Sequence, residues 1–184
     1  MILNIVVMLE TLISSKTRIK VLLKFFLNSK TTSYLRGLEG EFGDSTNAIR
    51  MELNKFEKAG LLRSFSKGNK KIFQANIEHP LYDEIHSIIL KYVGIDKIIS
   101  DVAKRLGEID SVYLTGRFAN GLDGNIIDLV FVGEVDRNYL VRLIDKVETL
   151  INRKIRYLLY DLESFEKLSA DDFDIKPLLL WKND

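Results

Sequence analysis

Apolar positions along the first half of the chain recur at helical intervals. Ile19, Leu22, Leu23 and Phe26 follow Lys16 at this spacing, and Asn28-Ser29-Lys30-Thr31-Thr32 breaks the run, which predicts a helix over about 15–28. Tyr34, Leu35, Leu38 and Phe42 form a second helical piece that ends at Gly43. Directly after it, Asp44 or Ser45 is placed to accept hydrogen bonds from the first N–H groups of a third helix, whose inward stripe is Ile49, Leu53 and Phe56. Gly60 closes that helix, and two strand-like runs, 61–66 and 71–77, follow around the turn Lys67-Gly68-Asn69-Lys70. Pro80 opens the next helix, with Leu81, Ile85, Ile88, Ile89 and Tyr92 on one stripe. Gly94 interrupts it, and a further helix turns Ile95, Ile98, Ile99, Val102 and Leu106 inward as far as Gly107.

The second half changes period. Ser111–Thr115 reads as a short apolar strand, Gly116 to Gly121 as a glycine-bounded turn, and Ile126–Val132 as a strand. A helix over about 137–151, a strand over 153–160 and a short helix complete the pattern. The expected fold class is α+β in three parts: 1–79, a helical connector over 80–107, and 108–184. Met8 precedes a better-patterned stretch, which leaves two readings of residues 1–7: an extension from an upstream start codon, or an ordered first strand or helical turn.

Composition narrows the function classes. Apolar residues make up 46% of 184, enough for a globular core, and the net charge of +1 selects neither nucleic acid nor membrane as a partner. The distribution of charge is more informative: residues 1–79 hold 13 Lys/Arg against 7 Asp/Glu, and residues 80–184 hold 14 against 19. The absence of cysteine excludes disulfides, thiolate zinc sites and a cysteine nucleophile, and agrees with a reducing cytoplasm. The opening Met1–Leu9 is too short for a signal peptide or a spanning helix, so the expected location is the cytoplasm, with no membrane contact.

In the basic half, helix, short turn and capped helix make a helix-turn-helix arrangement. Asn47, Arg50 and Asn54 fall on one outer face of its second helix, with Ser45 and Thr46 at the N-terminus. Arg pairs with guanine and Asn with adenine, while hydroxyls and helix-end amides bind phosphate oxygens. The competing reading is an ordinary solvated helix face. The hairpin that follows carries Lys67, Lys70 and Lys71 around Asn69, as a basic wing would. The stretch from Ser45 to Ser64, with Gly68–Asn76, resembles the winged helix-turn-helix of bacterial transcription regulators of the arsenic-repressor type, over roughly residues 12–79. That resemblance implies double-stranded DNA as partner, contacted by Arg36, Ser45, Thr46, Asn47, Arg50, Asn54, Lys67, Asn69, Lys70 and Lys71, and a homodimer. Metal sensing is not expected: the histidines are His79 and His86, read as surface or packing residues, and no metal site is assigned.

In the acidic half, a glycine-bounded turn after a strand lets backbone N–H groups approach a phosphate closely. Together with Asp128 in the next strand, it resembles the minimal nucleotidyltransferase family, whose pattern is Gly-Ser-x-Ala-x-Gly followed by Ser-Asp-x-Asp-Leu. The resemblance places Gly116, Arg117, Asn120, Gly121 and Asp128 in a nucleotide pocket. The departures are chemical. The family's two strand carboxylates, two residues apart, share a face and hold metal ions together. Here Asp128 matches the second, and Ile126 stands at the first. Arg117 and Asn125 replace serines, leaving Asp123 and Asp161 as the acids that would have to stand in.

Two readings of Arg117 remain open: a fixed charge binding a nucleotide or other anion without magnesium, or a partner of Asp128 or Asp123 in a retired pocket. The function expected is therefore a DNA-binding transcription regulator. Its C-terminal nucleotidyltransferase-like domain serves ligand binding or dimerisation rather than catalysis, and needs no cofactor. The alternative is an active nucleotidyltransferase using a nucleoside triphosphate with magnesium.

Overall fold

A computed structural model describes residues 5–96, 98–99, 108–169, 172–173 and 175–183. The protein is a mixed α/β chain of two compact units. One comprises Val7–Ile89 with Gly121–Asp123; the other comprises Leu90–Asn120, Gly124–Asp184 and the residues before Val7.

In the first unit, α1 (Ile5–Leu12) leads to α2 (Lys16–Phe26), which begins where the Ser15 side chain accepts from the Arg18 N–H at 3.2 Å. Helix α2 is buried on most sides, at Ile19, Val21, Leu22, Leu23, Phe25 and Phe26, and so forms the centre of this unit's core. A three-residue strand, β1 (Thr32–Tyr34), precedes α3 (Leu35–Phe42); periodicity did not predict it, because three residues are too few to display a period of two. Gly43, at φ 67°, ends α3 in the left-handed conformation that glycine adopts without steric cost. Ser45 then caps α4 (Thr46–Lys58), its Oγ accepting from the Ala48 N–H at 3.2 Å. Asp44, the other expected cap, instead accepts from Thr17 at 3.0 Å and Lys20 at 2.8 Å. As expected, Ile49, Leu53 and Phe56 are buried.

Strands β2 (Leu62–Lys67) and β3 (Lys70–Ala75) pair antiparallel, with Lys67 opposite Lys70 across Gly68 and Asn69. Gly68 supplies the positive φ, 57°, required at the first position of such a two-residue turn. The sheet order is β1-β3-β2.

Helix α5 is Tyr82–Val93. Its expected stripe is only partly inward. Ile89, Tyr92 and Val93 are buried, whereas Leu81 is 54% and Ile88 43% exposed. A helical stripe specifies an angular sector, and the neighbours available to cover it decide how much is buried. After Gly94 the backbone is helical again at Ile95, Asp96, Ile98 and Ile99. The predicted continuation through Val102 and Leu106 to Gly107 lies outside the described residues.

The second unit contains β4 (Ile109–Thr115), the short α6 (Gly116–Ala119), β5 (Ile126–Gly133), α7 (Arg137–Ile151), β6 (Lys154–Tyr160), α8 (Leu162–Glu166) and β7 (Leu178–Lys182). The sheet order is β6-β5-β4-β7, with β5 and β6 parallel and the other pairs antiparallel. Parallel pairing needs a crossover, which α7 supplies. That helix starts where Asp136 accepts from the N–H groups of Asn138 and Tyr139, both at 3.0 Å, and buries Leu140, Leu143, Ile144 and Val147. Ile127 and Leu129–Val132 are all buried, the continuous apolar run of a strand covered on both faces. On the Tyr113 face, Phe165 of α8 packs on Tyr113 and Tyr160, with ring centroids 4.9 and 6.1 Å apart.

Candidate functional site

A cleft of about 630 Å3 lies in the first unit between α4 and the β2–β3 hairpin. It brings together Arg36 from α3, Arg50 and Asn54 from α4, and Asn69, Lys70 and Lys71 from the hairpin. Each is exposed. The other residues expected on this face are not among the cleft's lining residues: Ser45 and Thr46 stand at the N-terminus of α4, Asn47 has its amide 4.0 Å from the Met51 sulfur, and Lys67 lies across the hairpin turn from Lys70. No acidic residue occurs in β1, β2 or β3, so the sheet carries cations without neutralising partners of its own.

Two of the cations are held in place. The Lys70 ammonium lies over the Tyr34 ring, 4.2 Å from its centroid, and Lys71 Nζ donates to Glu57 at 2.7 Å. The Lys71 hydrogen bond, followed by one from the Ser64 hydroxyl, holds the Glu57 carboxyl below its ordinary range, so Lys71 brings less net charge to the cleft than its position suggests. Helix α4 is tied to α2 by Glu52, which accepts from Arg18 Nε at 2.8 Å, Arg18 Nη2 at 3.2 Å and Ser15 Oγ at 3.2 Å. Burial works to raise the Glu52 pKa, but these hydrogen bonds and the charges of Arg18 and Lys55 outweigh it and hold the carboxyl low.

Tyr34, Leu35, Leu53 and Phe73 also line this cleft. Periodicity assigned Tyr34, Leu35 and Leu53 to buried stripes, and no local signal indicates that they meet a hairpin at a cleft. The histidines are engaged separately. His79 Nδ1 accepts from the Leu81 N–H at 3.1 Å, whereas His86 Nδ1 donates to the Phe26 carbonyl at 2.6 Å and its ring stacks on Tyr82.

The second unit has a cleft of about 670 Å3 lined by Thr115, Gly116, Asp128, Arg156, Leu158 and Phe173, among others. Gly116, at φ 63°, presses against the acid: a Cβ there would lie 2.4 Å from Asp128 Oδ2. Only glycine suits both that conformation and that approach. Of the five residues expected at this pocket, Gly116 and Asp128 line the cleft, while Arg117, Asn120 and Gly121 are not among its lining residues. Arg117 is exposed on α6 and passes Gly124, where an added Cβ would lie 3.5 Å from its Nε. Asn120 ends α6, its N–H donating to the Arg117 carbonyl at 3.1 Å, and Gly121 takes φ 69°.

Asp128 Oδ1 accepts from Arg156 Nε at 2.6 Å. The register brings them together, because β5 and β6 pair Asp128 with Arg156 directly. That hydrogen bond, followed by the carboxylate's charge, pushes the Arg156 pKa up. Ile126, 39% exposed, lies two residues before Asp128 in the same strand, and its side chain offers no oxygen. Asp161 caps α8, accepting from the Ser164 N–H at 2.7 Å, and is not among the lining residues; Asp172 is, and accepts from the Ser169 N–H at 2.6 Å. Hard divalent cations require several oxygen ligands, and a two-metal site places them on both sides of the reacting group. The residues at Asp128 do not fit such an ion: the acid is bonded to a guanidinium and the position two before it is aliphatic. Among the described residues, no group of three or more His, Asp or Glu side chains is arranged to hold a metal, and no helix is long and apolar enough to cross a membrane.

No protein-family model and no curated protein matches the chain. A crystal structure from Sulfolobus solfataricus, described as a "putative nucleotidyltransferase", is similar to it, with 26% identity over 51% of this chain and 83% of that one, at a TM-score of 0.34.

Proposed function

We propose that the protein is a transcription regulator that binds double-stranded DNA through a winged helix-turn-helix at residues 1–79. Helices α3 and α4 are the helix-turn-helix, α4 is the reading helix, and the β2–β3 hairpin is the wing. Residues 80–107 connect it to a domain, 108–184, that serves ligand binding or dimerisation rather than nucleotidyl transfer. It works in the cytoplasm as a homodimer, so that two copies of α4 meet two half-sites.

The observation that carries this reading is the convergence of Arg36, Arg50, Asn54, Asn69 and Lys70, from three separate elements, on one cleft. Lysines on a hairpin neutralise phosphates and position the protein, whereas Arg and Asn on a helix read base edges. For the second domain, the support is chemical: Arg156 already neutralises Asp128, and Ile126 supplies no second ligand.

Selection of bound DNA from a random pool tests the first part, with enrichment of a palindrome expected. Lys67→Gln should weaken binding to every sequence and reduce the slope of log K against log salt by about one. Arg50→Ala should cost roughly 1–3 kcal/mol at particular bases and leave non-specific binding nearly intact. An unenriched pool, or equal losses of specific and non-specific binding in both variants, refutes the assignment. For the second part, label transfer from ATP with magnesium, abolished by Asp128→Ala, would refute the non-catalytic reading.

A further inference from the structure

The cleft between α4 and the hairpin combines an apolar base with a cationic rim. Its volume, about 630 Å3, falls within the range of clefts that bind small molecules. It reaches the hydrophobic core, where Leu53 and Phe73, 1% and 4% exposed, form its base. One wall is the Tyr34 ring, which lies against Gly37, where an added Cβ would be 3.1 Å from Tyr34 Cε1. The Lys70 ammonium lies over that ring at 4.2 Å. Arg36 and Arg50 add two further cations, Asn54 and Asn69 each offer an amide that both donates and accepts, and none of the lining residues is acidic.

A paired base stacked inside a duplex does not enter a recess of this kind. A single planar ring carrying a phosphate matches each part of it. The ring meets an aromatic wall and an apolar base, the ring's polar edge meets amides, and the phosphate meets guanidinium and ammonium groups in charge-assisted hydrogen bonds. From this complementarity we infer that the cleft binds one unstacked nucleotide unit, its base taking the Tyr34 face that the Lys70 ammonium covers in the free chain, and the displaced ammonium joining Arg36 and Arg50 on the phosphate. The inference rests on the nucleic-acid reading of this face and specifies its ligand. A nucleotide in the cleft and a duplex across it compete, because both require Arg50, Asn54 and Lys70. The nucleotide unit has two sources: a free mononucleotide acting as an effector, or an unpaired residue in a strand.

Calorimetric titration of the full chain, without divalent metal, separates these sources using thymidine monophosphate, a short oligothymidylate and a mixed-sequence duplex as probes. A free-nucleotide site binds the monophosphate and loses it when duplex is added; a strand site binds the oligothymidylate more tightly than the monophosphate. In either case Tyr34→Leu and Lys70→Gln should each weaken binding roughly tenfold, the scale of a lost base–aromatic stack or phosphate contact. Lys70 is exposed at the hairpin turn, so its variant reports on the site even if Tyr34→Leu disturbs packing. Binding of the duplex but of neither other probe overturns the inference and leaves the DNA-binding reading standing. Nucleotide binding that both variants leave unchanged lies elsewhere and also overturns it. Binding of monophosphate and oligothymidylate without duplex upholds the inference and refutes the duplex reading, and no binding of any probe refutes both.

Discussion

Arg18→Ala tests how α4 is held. In the native chain the Glu52 side chain is 8% exposed and takes two hydrogen bonds from Arg18, one from Ser15, and a longer contact from Lys55 at 3.6 Å. Removing Arg18 leaves a nearly buried carboxylate with the serine and the distant lysine. Breaking a fully buried pair costs about 3–5 kcal/mol, and an exposed pair about 0–1. Arg18 is 36% exposed, so water replaces part of what it supplied, and the expected loss is about 2 kcal/mol.

Hydrogen exchange of the α2 and α4 amides reads this locally and should accelerate about thirtyfold. Trp181 lies in β7 of the other unit, and its fluorescence gives a second readout of unfolding. The effect also has a sign in pH. Glu52 has a lowered pKa in the fold, so its contribution is complete above the ordinary glutamate value near 4.3 and is lost as pH falls through the lowered folded value. The difference between native and variant chains should be full near pH 7 and shrink on acidification, as the buried and unpaired Glu52 of the variant takes up its proton before that of the native chain. A loss under about 0.5 kcal/mol, or one that does not change on acidification, refutes the account.

Gly116→Ala should destabilise the second unit by about 2 kcal/mol in thermal unfolding, since it combines a positive φ with a clash on Asp128; adding Asp128→Ala should recover the steric share but not the backbone share. Asp136→Ala removes the acceptor for two N–H groups of α7 and should cost about 1 kcal/mol by the same measurement. Ile126→Asp alone should leave manganese binding undetectable by electron paramagnetic resonance, because Arg156 holds Asp128; Ile126→Asp with Arg156→Gln should bring binding into range, and tight binding by the single variant would show that the ion pair does not block the site.

Much of the fold is legible locally. Helices α2, α4 and α7 carry clear apolar stripes, Gly43 and Gly60 stand where left-handed turns are needed, and the Lys67–Lys70 turn specifies its hairpin. Strand β7 escaped because five residues close after Pro177 carry too little pattern to distinguish a strand from a tail. Leu81 and Ile88 were expected inward because a stripe contains no information about what packs on it.

The sites divide in the same way. Arg50, Asn54 and the hairpin lysines can be picked out singly, since helix period and turn chemistry determine which side chains point outward. That they share a cleft with Tyr34 and Phe73 is decided by how β1, β3 and α4 pack. The partner of Asp128 is the clearest case. Arg117 is near in sequence and was the natural candidate, yet the hydrogen-bonded guanidinium at 2.6 Å is Arg156, brought opposite by the parallel register of β5 and β6. The sequence alone determined where a carboxylate was missing, because the Ile126 side chain has no oxygen in any fold. Only the tertiary structure decided which cation neutralises the carboxylate that remains, because strand register is set by burial across the whole sheet and leaves no trace at either residue.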